Sequence, residues 1–475
     1  MRCRVTSFVS ILILLLTAAC APRGELVTGQ GLVVLEGATL ISGAGGGPVE
    51  HSVVILEGER IKRIGRLGSF RYPADAEVMD LRGRWLVPGF VEMHSHIPGP
   101  PDQEQVLRTY LAFGVTTLMN PMAVPETGTK PRTAVATSRL IGPRIFTAGR
   151  GLNGPSAFDG FSLMVRVNSE ADARAEVQRQ AAAGVDFIKV FAHLEPAVVA
   201  AVVREAHAQG LKVTGHLGRT SWQEGVDCGI DVLLHSALGG PTWELVPEPE
   251  RNRFRTNVVP PQSGMDEYDA SLFREWRELV DLQGPLFQNL VAAIVESNVT
   301  VDPNLVVFES IIWGDDTEAR ERLEPDIAPL GDAEAWRSSD TNPYTTAWDE
   351  EDFAQAKATW PLFLDMVRMF HEAGVRLTAG SDLMNPWITP GVAWHRELEL
   401  LVSAGISPRE VLSIATRNGA EALGVLAEIG TVEVGKMADL VVLSADPLED
   451  IRNTRRILLV FQRGIRYDPD RLLAR

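Results

Sequence analysis

The chain has 475 residues, 45% of them hydrophobic and 23% charged, a balance that describes a globular protein large enough for one barrel plus a smaller domain. Its formal net charge of -17 argues against nucleic acid or an anionic lipid surface as a partner of the folded body. No GxxxxGK motif followed by Ser or Thr is present, so nucleotide hydrolysis has no support.

The N-terminus reads as an export signal. Arg2 and Arg4 precede an apolar run from Phe8 to Leu16, which is short of the roughly 20 residues of a membrane-spanning helix. Thr17-Ala18-Ala19-Cys20 then resembles a bacterial lipoprotein signal, with Cys20 as the lipidated first residue of the mature chain. That resemblance implies a lipoprotein of the cell envelope, sorted to the outer membrane and facing the periplasm, with the lipid as its sole membrane contact. Cleavage by an ordinary signal peptidase, giving a soluble periplasmic protein, is the alternative. Cys3 leaves with the signal in either case. Cys228 is expected to be a small buried residue, with no partner that would make it a nucleophile.

Residues 26–84 read as short strands broken by glycine turns, the first part of a small β-layer. From Trp85 to about residue 425 the pattern changes to alternating strands and helices, which implies parallel β/α units. Eight strands are expected, over Trp85–Val91, Val115–Met119, Arg144–Thr147, Phe187–Phe191, Lys212–His216, Val232–His235, Val299–Val301 and Arg376–Ala379. Ser169 is read as an N-cap, Pro196 as a helix opening and Ser407 to Glu410 as a capping box; Asn418 with Glu421 is read as a second such box. The fold class is therefore α/β, a (β/α)8 barrel with insertions, with a doubly wound open sheet as the alternative. Two connections, 239–285 and 314–352, are too long for plain βα loops, and their tryptophans are read mostly as satellite core. A lid carrying an aromatic substrate contact is the other reading. Residues 426–475 return to strand and turn chemistry and are expected to complete the N-terminal β-layer as a sandwich built from both termini.

Potential metal ligands fall where these strands end, the face on which barrel active sites lie. His94 and His96 lie two residues apart in an extended segment, so both imidazoles point to one side while Ser95 points away. Lys189 lies on the fourth strand, His216 and His235 end the fifth and sixth, and Asp382 follows the eighth. Each alone has an ordinary structural explanation; together, in strand order, they point to one site. His193 is either a substrate contact or a loop histidine, His395 reads as structural, and residues 151–159 form a candidate substrate loop.

Pro88-Gly89-Phe90-Val91-Glu92-Met93-His94-Ser95-His96, the later Lys/His/His/Asp order and Gly435 to Leu443 resemble the amidohydrolase superfamily, over about Leu32 to Ile465. The 19-residue step from His216 to His235 resembles the branch of imidazolonepropionase-related proteins and metal-dependent Xaa-Pro and Xaa-Lys/Arg dipeptidases. The resemblance implies two divalent metal ions, zinc being the expected one. His94, His96 and Asp382 would hold the first and His216 and His235 the second, with carboxylated Lys189 bridging them. It also implies hydrolysis of an amide bond by a metal-bound hydroxide, with Asp382 moving the proton. The expected substrate is a small molecule, a dipeptide or N-acyl amino acid. Cyclic amides or lactones are the alternative, and a lipoprotein binding module without catalysis is the reading from another class.

Overall fold

The structure, a computed structural model, describes residues 24–155, 162–236, 243–258, 270–323 and 342–474. The signal segment with Cys20, residues 156–159 of the candidate substrate loop, and parts of both long connections, Trp336 among them, lie outside the described residues.

Eight parallel strands form the barrel: β1 (Phe90–Glu92), β2 (Val115–Asn120), β3 (Arg144–Thr147), β4 (Phe187–Val190), β5 (Lys212–Gly215), β6 (Val232–Leu234), β7 (Thr300–Asp302) and β8 (Arg376–Leu377). Ladders join β1 to β2 to β3, and β4 through β8 in order. A bridge between Ala148 and Phe187 carries β3 onto β4. The circle closes where Met93 N donates to Ala379 O at 2.9 Å and Asp382 N to His94 O at 2.6 Å. Closure gathers the ends of these eight strands at one mouth.

The strand expected over Trp85–Val91 is two strands. Trp85–Pro88 pairs antiparallel with Leu440–Leu443 in a five-stranded sheet, and β1 begins only after Gly89. A Cβ on Gly89 would collide with Thr116, so glycine lets the chain pass closely from one sheet to the next. The five-stranded sheet packs on a four-stranded one built from Leu32–Glu36, Ser52–Glu57, Arg60–Arg66 and Glu77–Asp80. Leu35, Val54 and Leu56 from one sheet meet Leu86, Leu440, Val442 and Phe461 from the other in a single core. Chain segments from both termini thus form a β-sandwich.

Local signals at helix ends hold in most cases. Ser169 accepts from Asp172 N, Pro196 opens the helix Pro196–Ala208, and Ser407 with Glu410 forms a capping box. Asn418 is not a cap. The helix runs on through a π-turn at Ile414–Asn418, and the Asn418 amide donates to Leu377 O at the end of β8. The long connections contain helices of their own, and Trp243 and Trp276 are buried in the main core and not in a separate satellite core. Cys228 is half-buried and not fully inside, with Sγ 3.8 Å from Pro196 O.

Candidate metal centre

Glu92, His94 and His96 alternate along the segment that leaves β1, so all three side chains enter the barrel mouth. His94 Nε2 lies 3.2 Å and His96 Nε2 3.1 Å from one oxygen, Asp382 Oδ1. The three donors lie within 4.8 Å of one another, close enough to share one cation. His235 Nε2 stands 3.8 Å from the other oxygen, Asp382 Oδ2. The His94 and His235 rings lie 5.0 Å apart between centroids, and those of His235 and His216 4.5 Å. Lys189 is buried on β4, its Nζ 5.8 Å from the centre of the Phe191 ring, which in turn packs on His216 at 4.6 Å. All six residues expected from the sequence therefore line one mouth.

Backbone strain marks the same place. His235, Asn304 and Asp382, each just past the end of its strand, take positive φ values of 66°, 53° and 53°. Such conformations cost side-chain-bearing residues free energy and persist where the surroundings fix them. Gly380 explains the tightness before Asp382, since a Cβ there would run into both Asp302 and His94.

The electrostatics suit a cation. Burial depresses His94 and His216 well below the usual imidazole range and brings His235 to about 4, so all three are neutral with lone pairs free. Burial alone would raise Asp382, but His94, His96 and His235 outweigh it and hold the carboxyl well below its usual range. Burial also brings the Lys189 ammonium down to about 7, against the pull of Asp382 and Asp302. Nδ1 of His94, His96 and His235 are buried without a hydrogen-bond partner among the described residues. A donor set of neutral imidazoles around an ionised carboxylate fits a divalent metal.

Three buried groups of the site lie outside the sequence-based set. Glu92 accepts from His94 N, Ser381 N and Ser381 Oγ. Asp302, at the end of β7, accepts from Thr378 Oγ1 and Asn304 Nδ2 and lies 3.7 Å from His94 Nδ1. Asn304 also donates to Gly380 O, tying β7 to β8. The signal for Asp302 was its place directly after the β-branched run Val299 to Val301, matching that of the histidines after their own strands.

Four of the five remaining histidines have clear surroundings. His395 is buried between Thr454 Oγ1 and Phe113 O, a structural position. His207 pairs with Asp231 and His371 with Glu410. His193 is buried, and its backbone N donates to Asn153 Oδ1.

Comparison with known proteins agrees with this geometry. Residues 363–465, which carry β8 and Asp382, match the family described as Amidohydrolase family. A solved Xaa-Pro dipeptidase superposes with a TM-score of 0.66 at 18% identity, over 92% of this chain and 100% of that one, which speaks for the fold. Residues 363–465 thus carry the Amidohydrolase family match, and the chain as a whole shares the fold of the solved dipeptidase. Two relatives are matched over short stretches. Imidazolonepropionase of Symbiobacterium thermophilum is 42% identical over 78 residues, 16% of this chain and 18% of that protein. Dihydroorotase of Anaeromyxobacter dehalogenans is 35% identical over 130 residues, 25% of this chain and 27% of that protein. Both matches thus span well under two thirds of the length of those relatives.

Proposed function

We propose that this protein is a metal-dependent hydrolase of C–N bonds, with a dipeptide or an N-acyl amino acid as its substrate. The observation that carries the reading is the convergence of His94 Nε2 and His96 Nε2 on one oxygen of Asp382, inside a mouth also lined by Lys189, His216 and His235. The name of the Xaa-Pro dipeptidase that shares the fold supports the dipeptide class.

His94, His96 and Asp382 would hold one divalent ion, His216 and His235 a second, and Lys189, as its carbamate, the space between. Such ions, zinc by the donor types, supply Lewis acidity and a water that loses its proton near neutral pH. The chain supplies the rest. Neutral His94 and His235 leave their lone pairs to the site, and Lys189, near neutrality through burial, offers the free amine that reacts with carbon dioxide. Asp382 Oδ2, turned toward His235, receives the proton of the attacking water and delivers it to the leaving amine. The buried walls around His94 and Lys189 exclude bulk water, which strengthens each of these interactions.

Metal analysis followed by a screen of dipeptides and N-acyl amino acids tests this reading. Expected are two divalent ions per chain and turnover in at least one of the two classes. A folded chain that binds no divalent ion would sink it. Turnover confined to cyclic amides or lactones would favour the second reading, which the names of the imidazolonepropionase and dihydroorotase relatives support.

The reading extends to placement in the cell. Arg2, Arg4, the apolar run and Cys20 support export and lipid attachment at Cys20, facing the periplasm of a Gram-negative host. Fractionation of wild type against Cys20→Ala decides it: membrane recovery of the first and soluble recovery of the second are expected, and equal solubility would refute the anchor.

A further inference from the structure

His94 stands between two carboxylates from different strands. Asp382 Oδ1 faces its Nε2 at 3.2 Å, and Asp302 Oδ2 faces its Nδ1 at 3.7 Å. Both His94 and Asp302 are wholly buried, and His94 Nδ1 has no hydrogen-bond partner among the described residues. A neutral imidazole carries one proton, so one nitrogen donates and the other offers a lone pair. With the lone pair on Nδ1, two acceptors would face each other in a dry interior, an arrangement that costs free energy on both sides. With the proton on Nδ1, the donor meets Asp302 and the lone pair on Nε2 joins those aimed at the shared site.

Asp302 is itself held rigidly. Thr378 Oγ1 donates to its Oδ1 at 3.0 Å and Asn304 Nδ2 to its Oδ2 at 3.1 Å. Both of these donors are neutral side chains. Asn304 holds a left-handed conformation and donates to Gly380 O as well at 3.0 Å, which fixes Asp302 relative to the turn that carries Asp382. Glu397 anchors the chain just beyond, accepting from Leu305 N and Val306 N at 3.1 and 2.8 Å. A buried carboxylate braced by neutral donors and pointed at the back of a ligand histidine has a cost that folding alone does not explain.

We propose that Asp302 is a positioning residue for the metal centre, accepting the Nδ1–H of His94 and so presenting Nε2 to the ion. The inference rests on the proposed metal-binding function and assigns a role to a residue outside the ligand set. An outer carboxylate of this kind fixes the tautomer and ring orientation of a ligand histidine and raises its basicity.

The test compares metal affinity with metal-free stability in full-length wild type, Asp302→Ala and Asp302→Asn. Each protein is stripped with a chelator, and its tightest zinc site is then titrated against a competing chelator. Asp302→Ala removes the acceptor and is expected to weaken zinc binding about 10–100-fold. Asp302→Asn keeps an oxygen acceptor but not the charge, and charge-assisted bonds are about twice as strong as neutral ones, so about half that effect on a logarithmic scale is expected. Asp302→Ala strands the Thr378 and Asn304 donors and should lower the metal-free midpoint of thermal unfolding, whereas Asp302→Asn keeps an acceptor and should leave it close to level. Should Asp302→Ala fail to fold, Asp302→Asn still reads the affinity. Wild-type affinity in either folded variant overturns the inference. So does an affinity loss that is equal in the two and matched by a fall in metal-free stability in both, the mark of a merely structural residue. Zinc binding absent from wild type as well would overturn the metal-dependent reading and this inference together.

Discussion

Glu92 and Ser381 close the barrel from within: Ser381 N donates to Glu92 Oε1 at 3.0 Å and Ser381 Oγ to Glu92 Oε2 at 2.6 Å, joining the end of β1 to the turn after β8. Glu92 Oε1 also accepts from His94 N at 2.8 Å, so one carboxyl sets the backbone on both sides of the site. Burial pushes this carboxyl well above its usual range, so it is held as much by its donors as by charge.

Glu92→Ala strands two buried backbone donors, each costing about 1–3 kcal/mol. A loss of at least about 2 kcal/mol of metal-free stability is expected from urea unfolding, along with weakened metal binding. Ser381→Ala keeps the backbone donor and should cost about 1 kcal/mol. An unchanged urea midpoint in Glu92→Ala would remove the pair from the closure of the barrel.

Much of this was legible in the sequence, for a physical reason. His94, His96, His216, His235 and Asp382 each follow an apolar strand, and a barrel places all strand ends on one face, so position alone gathers them. Asp302 obeys the same rule, yet a single carboxylate followed by proline reads as a turn, and its meaning depends on His94, about 200 residues away in the chain. Glu92 was hidden for a similar reason, because its partner Ser381 comes from the far end of the barrel. The split of the first strand at Gly89 was masked by one continuous apolar run, in which two sheets share a single stretch of chain. Asn418 resembled a cap because its spacing to Glu421 is right; its amide instead serves Leu377, and Glu421 pairs with Arg376.

Metal loading should depend on pH through Lys189. Burial brings its ammonium to about 7, so the amine is mostly protonated at pH 6 and mostly neutral at pH 8, and only the neutral amine forms a carbamate. Stripped protein reloaded with zinc and bicarbonate is expected to take up two equivalents at pH 8 and fewer at pH 6, measured by elemental analysis. Lys189→Ala should take up one equivalent or less at both values and lose most activity, with partial recovery on adding a short carboxylate. Two equivalents in Lys189→Ala would rule out a bridging role.

The second long connection acts on the site through Tyr344. Its hydroxyl donates to Asn385 Oδ1 at 3.1 Å, and the Asn385 amide donates to Asp382 O at 2.9 Å. That contact steadies a turn in which Asp382, Met384 and Trp387 all have positive φ. Tyr344→Phe removes one hydrogen bond worth about 1 kcal/mol, so kcat/KM should fall roughly fivefold while the thermal midpoint barely moves. Unaltered kinetics would show that the turn is held without Tyr344.

Asp382 joins holding the metal to moving the proton, and substitution can separate the two. Its Oδ1 faces His94 and His96, and its Oδ2 faces His235. Asp382→Asn keeps the volume and one oxygen donor but removes the charge and the base. The left-handed backbone at this position, φ 53°, is one that asparagine tolerates well, so the fold should survive. The expected outcome is a folded protein that retains at least one metal and loses about 10²–10⁴-fold in kcat, the usual scale of general acid–base catalysis. In wild type the carboxyl is held well below its usual range, so it stays ionised across neutral pH and gains a proton only as the pH falls far into the acid region. Activity should therefore decline on the acid side as the cluster of Asp382, its histidines and Lys189 takes up protons, a coupled titration belonging to no single residue. Asp382→Asn should flatten that limb as well as lower it. A metal-loaded Asp382→Asn enzyme with near-normal kcat and an unchanged acid limb would take the proton-transfer role away from Asp382. The search for the base would then turn to the other buried carboxylates of the mouth, Asp302 and Glu92.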